Sequence, residues 1–313
     1  MHRILKALVC GLLVGLIAAS ASAQRVPRWM TLPPTPSLPT PQASGQAPVN
    51  GISIWYATFG SGPPVVLLHG GLANSNYWGH QVPALAEKHR VIVMDSRGHG
   101  RSTRDAQPYG YALMASDVIG LMDYLGIAQA AIVGWSDGAI LGLSLAMSHP
   151  DRVSRLFAFA ANSDPSGVKD VGTSPVFNEF TARAEKEYEA LSATPGQFKT
   201  FFAEIGKMWG TQPNWTAKDL NAIKVPTWIV DADHDEAIHR ENTEFMAREI
   251  PDAACCCSRR SVTSRCCRRR ASSPTTCDSS SNGSGTEPLR RTGYSAALRN
   301  GLSRRSSATR AWV

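Results

Sequence analysis

An α/β fold, a mostly parallel sheet with helices on both faces, is predicted by three observations. From Gly51 onward, short apolar runs alternate with stretches of helical period, the order in which buried parallel strands and their crossover helices follow one another. Between the runs, Met114, Val118, Leu121, Met122 and Leu125 recur on one face of a helix. Size sets the bound: 313 residues with 43% apolar content can enclose one full-sized core, so one large domain with additions is expected.

The first 23 residues begin with His2, Arg3 and Lys6, continue as an apolar run from Ala7 to Ala19, and end in Ala21-Ser22-Ala23 before Gln24. This is the pattern of a secretory signal with a small-x-small cleavage site. The run falls short of the ~20 residues a membrane span needs, so no stable membrane anchor is expected. Cys10 sits too early, and follows Val9 rather than a small residue, for a lipoprotein site. Gln24 to Asn50 carries seven prolines and reads as an extended, semi-rigid linker, residues 24–50. An exported protein, periplasmic or extracellular, follows as the expectation. Its body would arrive there without cysteine and hence without disulfides.

Within the expected domain, residues 51–252, the strand candidates are Val65 to Leu68, Val91 to Met94, Ala130 to Val133, Leu156 to Ala160 and Thr227 to Val230. Residues 163–224 break the rhythm with a helical, aromatic-rich insertion, read as a small cap over the carboxyl edge of the sheet, where ligands bind in open α/β folds. Its aromatics favour an apolar acyl or ring substrate, or else form the core of the cap itself.

The chemistry centres on Gly134-Trp135-Ser136-Asp137-Gly138, directly after one strand candidate and directly before the helical run Ala139 to Ser148. In isolation a G-x-S-x-G is an ordinary turn. In a strand-turn-helix context it is a nucleophile elbow, with Ser136 Oγ lifted clear of the backbone and the helix N-terminus favouring developing negative charge. His69-Gly70-Gly71-Leu72 follows the strand before it, where a loop can offer an N–H to an oxyanion. The pair implies a hole built from the N–H groups of Asp137 and Gly71, or of Leu72 in place of Gly71. His69 reads as structural, and Asp95 to Ser102 as a structural turn bordering the site.

With H-G-G, D-x-R-G-H-G-x-S and G-W-S-D-G in this order, the chain resembles the α/β-hydrolase fold family, near its esterase, lactonase and cofactor-free peroxidase members. The resemblance covers roughly Gly51 to Asp252. It implies a small-molecule substrate, no cofactor, and a Ser, Asp, His triad in that chain order. Ser136 matches the nucleophile, whereas the dehalogenase and epoxide-hydrolase branches of the family place Asp there. By position Asp235, in Asp231-Ala232-Asp233-His234-Asp235, matches the acid that orients the imidazole. A calcium-loop reading of the same segment fails on Glu236 and Asn242, where Gly and Glu are needed, so no metal is expected.

The third triad member should follow one more strand, yet His239 is the last histidine of the sequence. In its place stands an Arg/Ser/Cys-rich tail, residues 253–313, expected to be disordered and to cost the fold its last strand. It holds 12 arginines, no lysine and only Asp278 and Glu287, a charge of +10 that leaves the preceding 252 residues at −3. The contiguous Cys255-Cys256-Cys257 lacks zinc-site spacing and the tail has no histidine. An arginine-rich nucleic-acid arm is compatible with the composition, but an exported hydrolase has little use for one, so no nucleic-acid partner is expected.

A changed reading frame accounts for the tail directly. Pairing the third base of each codon with the first two of the next turns every Cys-Cys pair into TTG or CTG, both of which encode leucine. Residues 255–257 then conceal Leu-Leu, and Cys266-Cys267 conceals Leu. The seam between Val262 and Thr263 permits histidine. One consistent shifted text is Leu-Leu-Leu-Pro-Glu-Val-Ser-His-Phe-Ala-Met-Leu, a buried strand followed by the missing base. The expectation is a serine hydrolase whose histidine was lost by a frame change near residues 252–255. The alternative is a non-catalytic small-molecule binding protein built on the same fold.

Overall fold

The computed structural model describes residues 26–257; residues 1–25, on which the expected secretory signal falls, and the tail from Ser258 onward lie outside the described residues. Two compact units divide the chain at Leu32/Pro33. The described part of the first holds a single 3-10 turn, Arg28–Met30. The second contains an eight-stranded sheet.

Its strands are β1 (Ala43–Val49), β2 (Ile52–Phe59), β3 (Pro64–Leu68), β4 (Arg90–Met94), β5 (Ala130–Trp135), β6 (Val153–Phe159), β7 (Thr227–Asp231) and β8 (Ala253–Cys257), in the order β1-β2-β4-β3-β5-β6-β7-β8. From β4 to β8 every pairing is parallel, while β1–β2 and β2–β4 are antiparallel. The five predicted strands correspond to β3 to β7. Alternate side chains face opposite layers: Val65, Leu67, Val91, Val93 and Val133 pack with Val82 of α1 (Gln81–Ala86). On the other face α3 (Asp137–Ser148) comes so close that a Cβ on Gly142 would stand 2.5 Å from Leu156 and 3.3 Å from Ile132. The predicted stripe lies on α2 (Tyr111–Tyr124), where Met114, Val118, Leu121 and Met122 are buried; Leu125 caps its end.

Three expectations need correction. The linker does not extend to Asn50, because β1 pairs with β2 through Asn50-Gly51, whose φ values of 46° and 78° suit a tight hairpin. From Pro33 the polypeptide also lies on the body: Arg183 donates to the Pro33 carbonyl, and Leu38 packs on the core. Finally, residues 253–257 are not disordered but form β8, parallel to β7 with Thr227 opposite Ala253 and Asp231 opposite Cys257. Alanine and cysteine are small, weakly polar residues, and the exposed β7 edge offers backbone partners to any extended chain.

The cap consists chiefly of α4 (Pro175–Leu191), α5 (Phe198–Trp209) and the short α6 (Ala217–Asn221). Phe180, Tyr188, Phe198 and Phe201 are buried, with Tyr188 stacked on Phe201 at 5.0 Å. These aromatics are the core of the cap. They also join it to the sheet's carboxyl edge, Phe201 meeting His99 at 4.8 Å and Phe180 meeting Trp135 at 6.1 Å.

Candidate active site

Ser136 is the single residue between β5 and α3, with φ 53° and ψ −120°. A serine rarely adopts positive φ, and the strain persists only where the surroundings hold it. Here its N–H donates to the Phe159 carbonyl at 2.8 Å, and its own carbonyl accepts from Ala139 and Ile140 at 2.8 and 3.0 Å. The flanking glycines answer to crowding: a Cβ on Gly134 would stand 2.2 Å from the Gly138 carbonyl oxygen, and one on Gly138 only 2.0 Å from that of Leu68. The motif therefore has a steric cause. The elbow folds so tightly, Gly134 against the start of α3 and Gly138 against the end of β3, that only hydrogen fits at either position.

The Gly70-Gly71 loop runs alongside, Gly70 lying next to Ser136 Cβ and Leu72 adopting φ 61°. Asp137 opens α3, so its N–H has no acceptor within the helix. Its side chain is buried, and Oδ1 accepts from Tyr111 Oη at 2.9 Å and from Trp209 Nε1 at 3.0 Å; Trp209 Nε1 is also 2.9 Å from Oδ2. Burial lifts this carboxyl to about 6, against the pull of the two donors.

Asp235 follows β7, and its Oδ1 accepts from the N–H groups of Ala237 and Ile238 at 2.8 and 2.7 Å. β6 alone separates β5 from β7, so Trp135 and Asp231 end their strands at the same sheet edge about two strand spacings, roughly 10 Å, apart, with Ser136 one residue and Asp235 four residues further on. Because Asp231 pairs with Cys257, β8 ends at this same edge. His239 instead precedes α7 (Arg240–Glu249) and gives its N–H to Gly167.

His69 is buried, its Nδ1–H donating to Gly70 O at 2.7 Å and its Nε2 accepting from Ser96 N–H at 2.9 Å. Desolvation holds it neutral, as befits a structural residue. The Asp95 turn is equally committed: the Asp95 carboxylate takes bonds from Ser75 and Arg101, and buried Arg97 bridges Asp117 and Asp105. The three aspartates considered for a metal face three partners. Asp233 pairs with Arg240, Asp235 with backbone amides, and Asp231 with Thr243 Oγ1 at 2.8 Å.

Sequence reasoning missed Asp231, Tyr111 and Trp209. Asp231 is buried beside Asp235, and desolvation followed by the Asp235 charge raises its carboxyl to about 7. An acid raised above its unfolded value costs the fold stability as soon as the unfolded chain ionises while the folded one stays protonated. The penalty is thus absent below about pH 4 and complete above about pH 7. Asp231→Asn is expected to match the parent's unfolding free energy at pH 3 and exceed it by roughly 2 to 4 kcal/mol at pH 8. Denaturant melts at both pH values check this, and an equal difference at both would show that Asp231 does not titrate in that window.

A family profile described as alpha/beta hydrolase fold matches residues 63–212. A Caulobacter vibrioides protein named for carbamate hydrolysis, RutD, is 43% identical over 107 residues, which is 34% of this chain and 40% of that protein. Epoxide hydrolase B of Mycobacterium tuberculosis is 35% identical over 147 residues, 45% of this chain and 40% of that protein. This chain thus spans well under half the length of either relative. Among solved structures, the enol-lactonase of Burkholderia xenovorans LB400 superposes with a TM-score of 0.57 at 23% identity, covering 68% of this chain and 91% of its own. The meta-cleavage product hydrolase CumD of Pseudomonas fluorescens IP01 gives 0.60 at 24%, covering 68% and 88%. With the parallel sheet, the strained serine elbow and the profile match in agreement, the chain has the α/β-hydrolase fold.

Proposed function

We propose that this protein derives from an exported serine hydrolase that cleaves a carboxylic ester or lactone of a small, apolar substrate through a covalent acyl-enzyme. The observation that carries this reading is the backbone of Ser136, held at positive φ between two glycines that admit no side chain. Such strain, fixed from both sides, supports a role in presenting Oγ to a carbonyl carbon. The N–H groups of Asp137 and Gly71 would receive the oxyanion, and Asp235 would orient the base. Trp135, Tyr77 and Phe180 make an aromatic wall beside the elbow, in keeping with an apolar acyl group.

The base itself is absent from the sequence after His239, which favours a second reading for the chain as it stands: a binding protein that holds such esters without turning them over. The forced leucines support loss of the base by a frame change. A fluorophosphonate probe separates the two readings. A chain with the frame restored should label at Ser136 and lose labelling on Ser136→Ala, and the present chain should label far more slowly. Failure of the restored chain to label would leave the binding reading standing.

A further inference from the structure

Asp137 carries two groups that point to different parts of the molecule. Its N–H, in the first turn of α3, is the one assigned above to the oxyanion hole, while its carboxylate is spent on Tyr111 at the start of α2 and on Trp209 at the end of the cap helix α5. The cap is tied there a second time, since Gln212 Oε1 accepts from the Tyr111 N–H at 3.1 Å. Gly71 lies directly beneath this knot: a Cβ on it would stand 2.4 Å from Trp209 Cζ2 and 2.6 Å from Asp137 Oδ2. The cap helix, the elbow and the oxyanion loop thus meet at one buried carboxylate. Trp209 is 72 residues from Asp137 in sequence, so nothing local enforces the contact.

We infer that the Asp137 carboxylate is a positioning group that couples the cap to the oxyanion hole, so that release of Trp209 loosens the Gly70-Gly71 loop and the cap together. The carboxylate can serve two donors at once, whereas a neutral amide offers one oxygen and turns an N–H toward the other donor. A leucine of similar volume offers neither acceptor. The inference rests on the assignment of Gly71 and Asp137 to the oxyanion hole, but it concerns motion and can be tested without turnover.

The test is hydrogen–deuterium exchange on the full chain at neutral pH, read over residues 198–209 and 69–73, for Trp209→Phe, Tyr111→Phe, Asp137→Asn and Asp137→Leu. Trp209→Phe should speed exchange in both segments by about tenfold, with a smaller effect from Tyr111→Phe. Asp137→Leu should loosen both segments at least as much, and Asp137→Asn should recover part of the protection. Adding Trp209→Phe to Asp137→Leu should change little more. Loosening of 198–209 alone, with 69–73 as protected as in the parent, would overturn the coupling. So would equal protection in Asp137→Leu and Asp137→Asn, because a space-filling side chain would give that result. Should the Asp137 variants not fold, Trp209→Phe and Tyr111→Phe still decide, since both keep the carboxylate. Failure of Ser136 labelling alongside coupled exchange would count against the hydrolase reading and leave the coupling intact.

Discussion

A chain read in the shifted frame from residues 252–255 onward is expected to hydrolyse a short-chain nitrophenyl ester about 10⁶-fold faster in kcat than the chain as it stands, the scale on which serine proteases lose activity when one triad member is removed. The present chain already has the strained Ser136, the first-turn N–H of Asp137 and the Gly71 loop, so the proposed nucleophile and oxyanion donors would be common to both. Only the restored chain can supply an imidazole. β8 runs parallel to β7 with Cys257 opposite Asp231, four residues before the proposed acid Asp235. Since β8 forms from Ala253–Cys257 in the present frame, the expected cost to the sheet is smaller than loss of the whole strand, and the activity difference is mainly chemical. Comparable rates in the two chains would refute the missing-base account. Resequencing the locus without finding a strand-histidine alternative frame would remove its cause.

The parallel strands were legible because their burial on both faces leaves uninterrupted apolar runs such as Val65 to Leu68 and Val91 to Met94, each below 6% exposure. The elbow was legible because its sterics permit only glycine at two positions. β1 was hidden by composition: only Ala47 and Val49 of Ala43–Val49 are buried, and the rest of the strand is small or polar. The Asn50-Gly51 pair was the available signal for that hairpin, since both residues take positive φ. β8 was hidden because its cysteines read as part of the arginine-rich tail. The carboxylate knot left no trace in spacing, because Tyr111, Asp137 and Trp209 come from three separate helices. What the sequence did offer was an acid in the second x of G-x-S-x-G, a place destined for burial at a helix start. A buried carboxylate there must find donors from elsewhere in the chain.

Gly138→Ala is expected to destabilise the fold by about 3 kcal/mol or more, at the upper end of what overpacking a core costs. The added methyl would stand 2.0 Å from the Leu68 carbonyl oxygen and 2.7 Å from that of His69. Both are backbone atoms of the strand end and loop that lead into the proposed oxyanion donor Gly71. Neither can swing aside as a flexible side chain would, so relief requires α3 to move away from β3. That movement would draw Ser136 out of its hydrogen bond to Phe159 and carry the Asp137 N–H off its position. Gly142→Ala provides the comparison on the same helix, since its methyl would meet Leu156 Cδ1 at 2.5 Å and Ile132 Cγ2 at 3.3 Å, both side-chain atoms able to change rotamer. Denaturant melts should therefore rank Gly138→Ala well below Gly142→Ala in stability. If the two substitutions cost the same, the tight contact between elbow and β3 is not what excludes a side chain from Gly138, and the glycine would have to be explained by the turn alone.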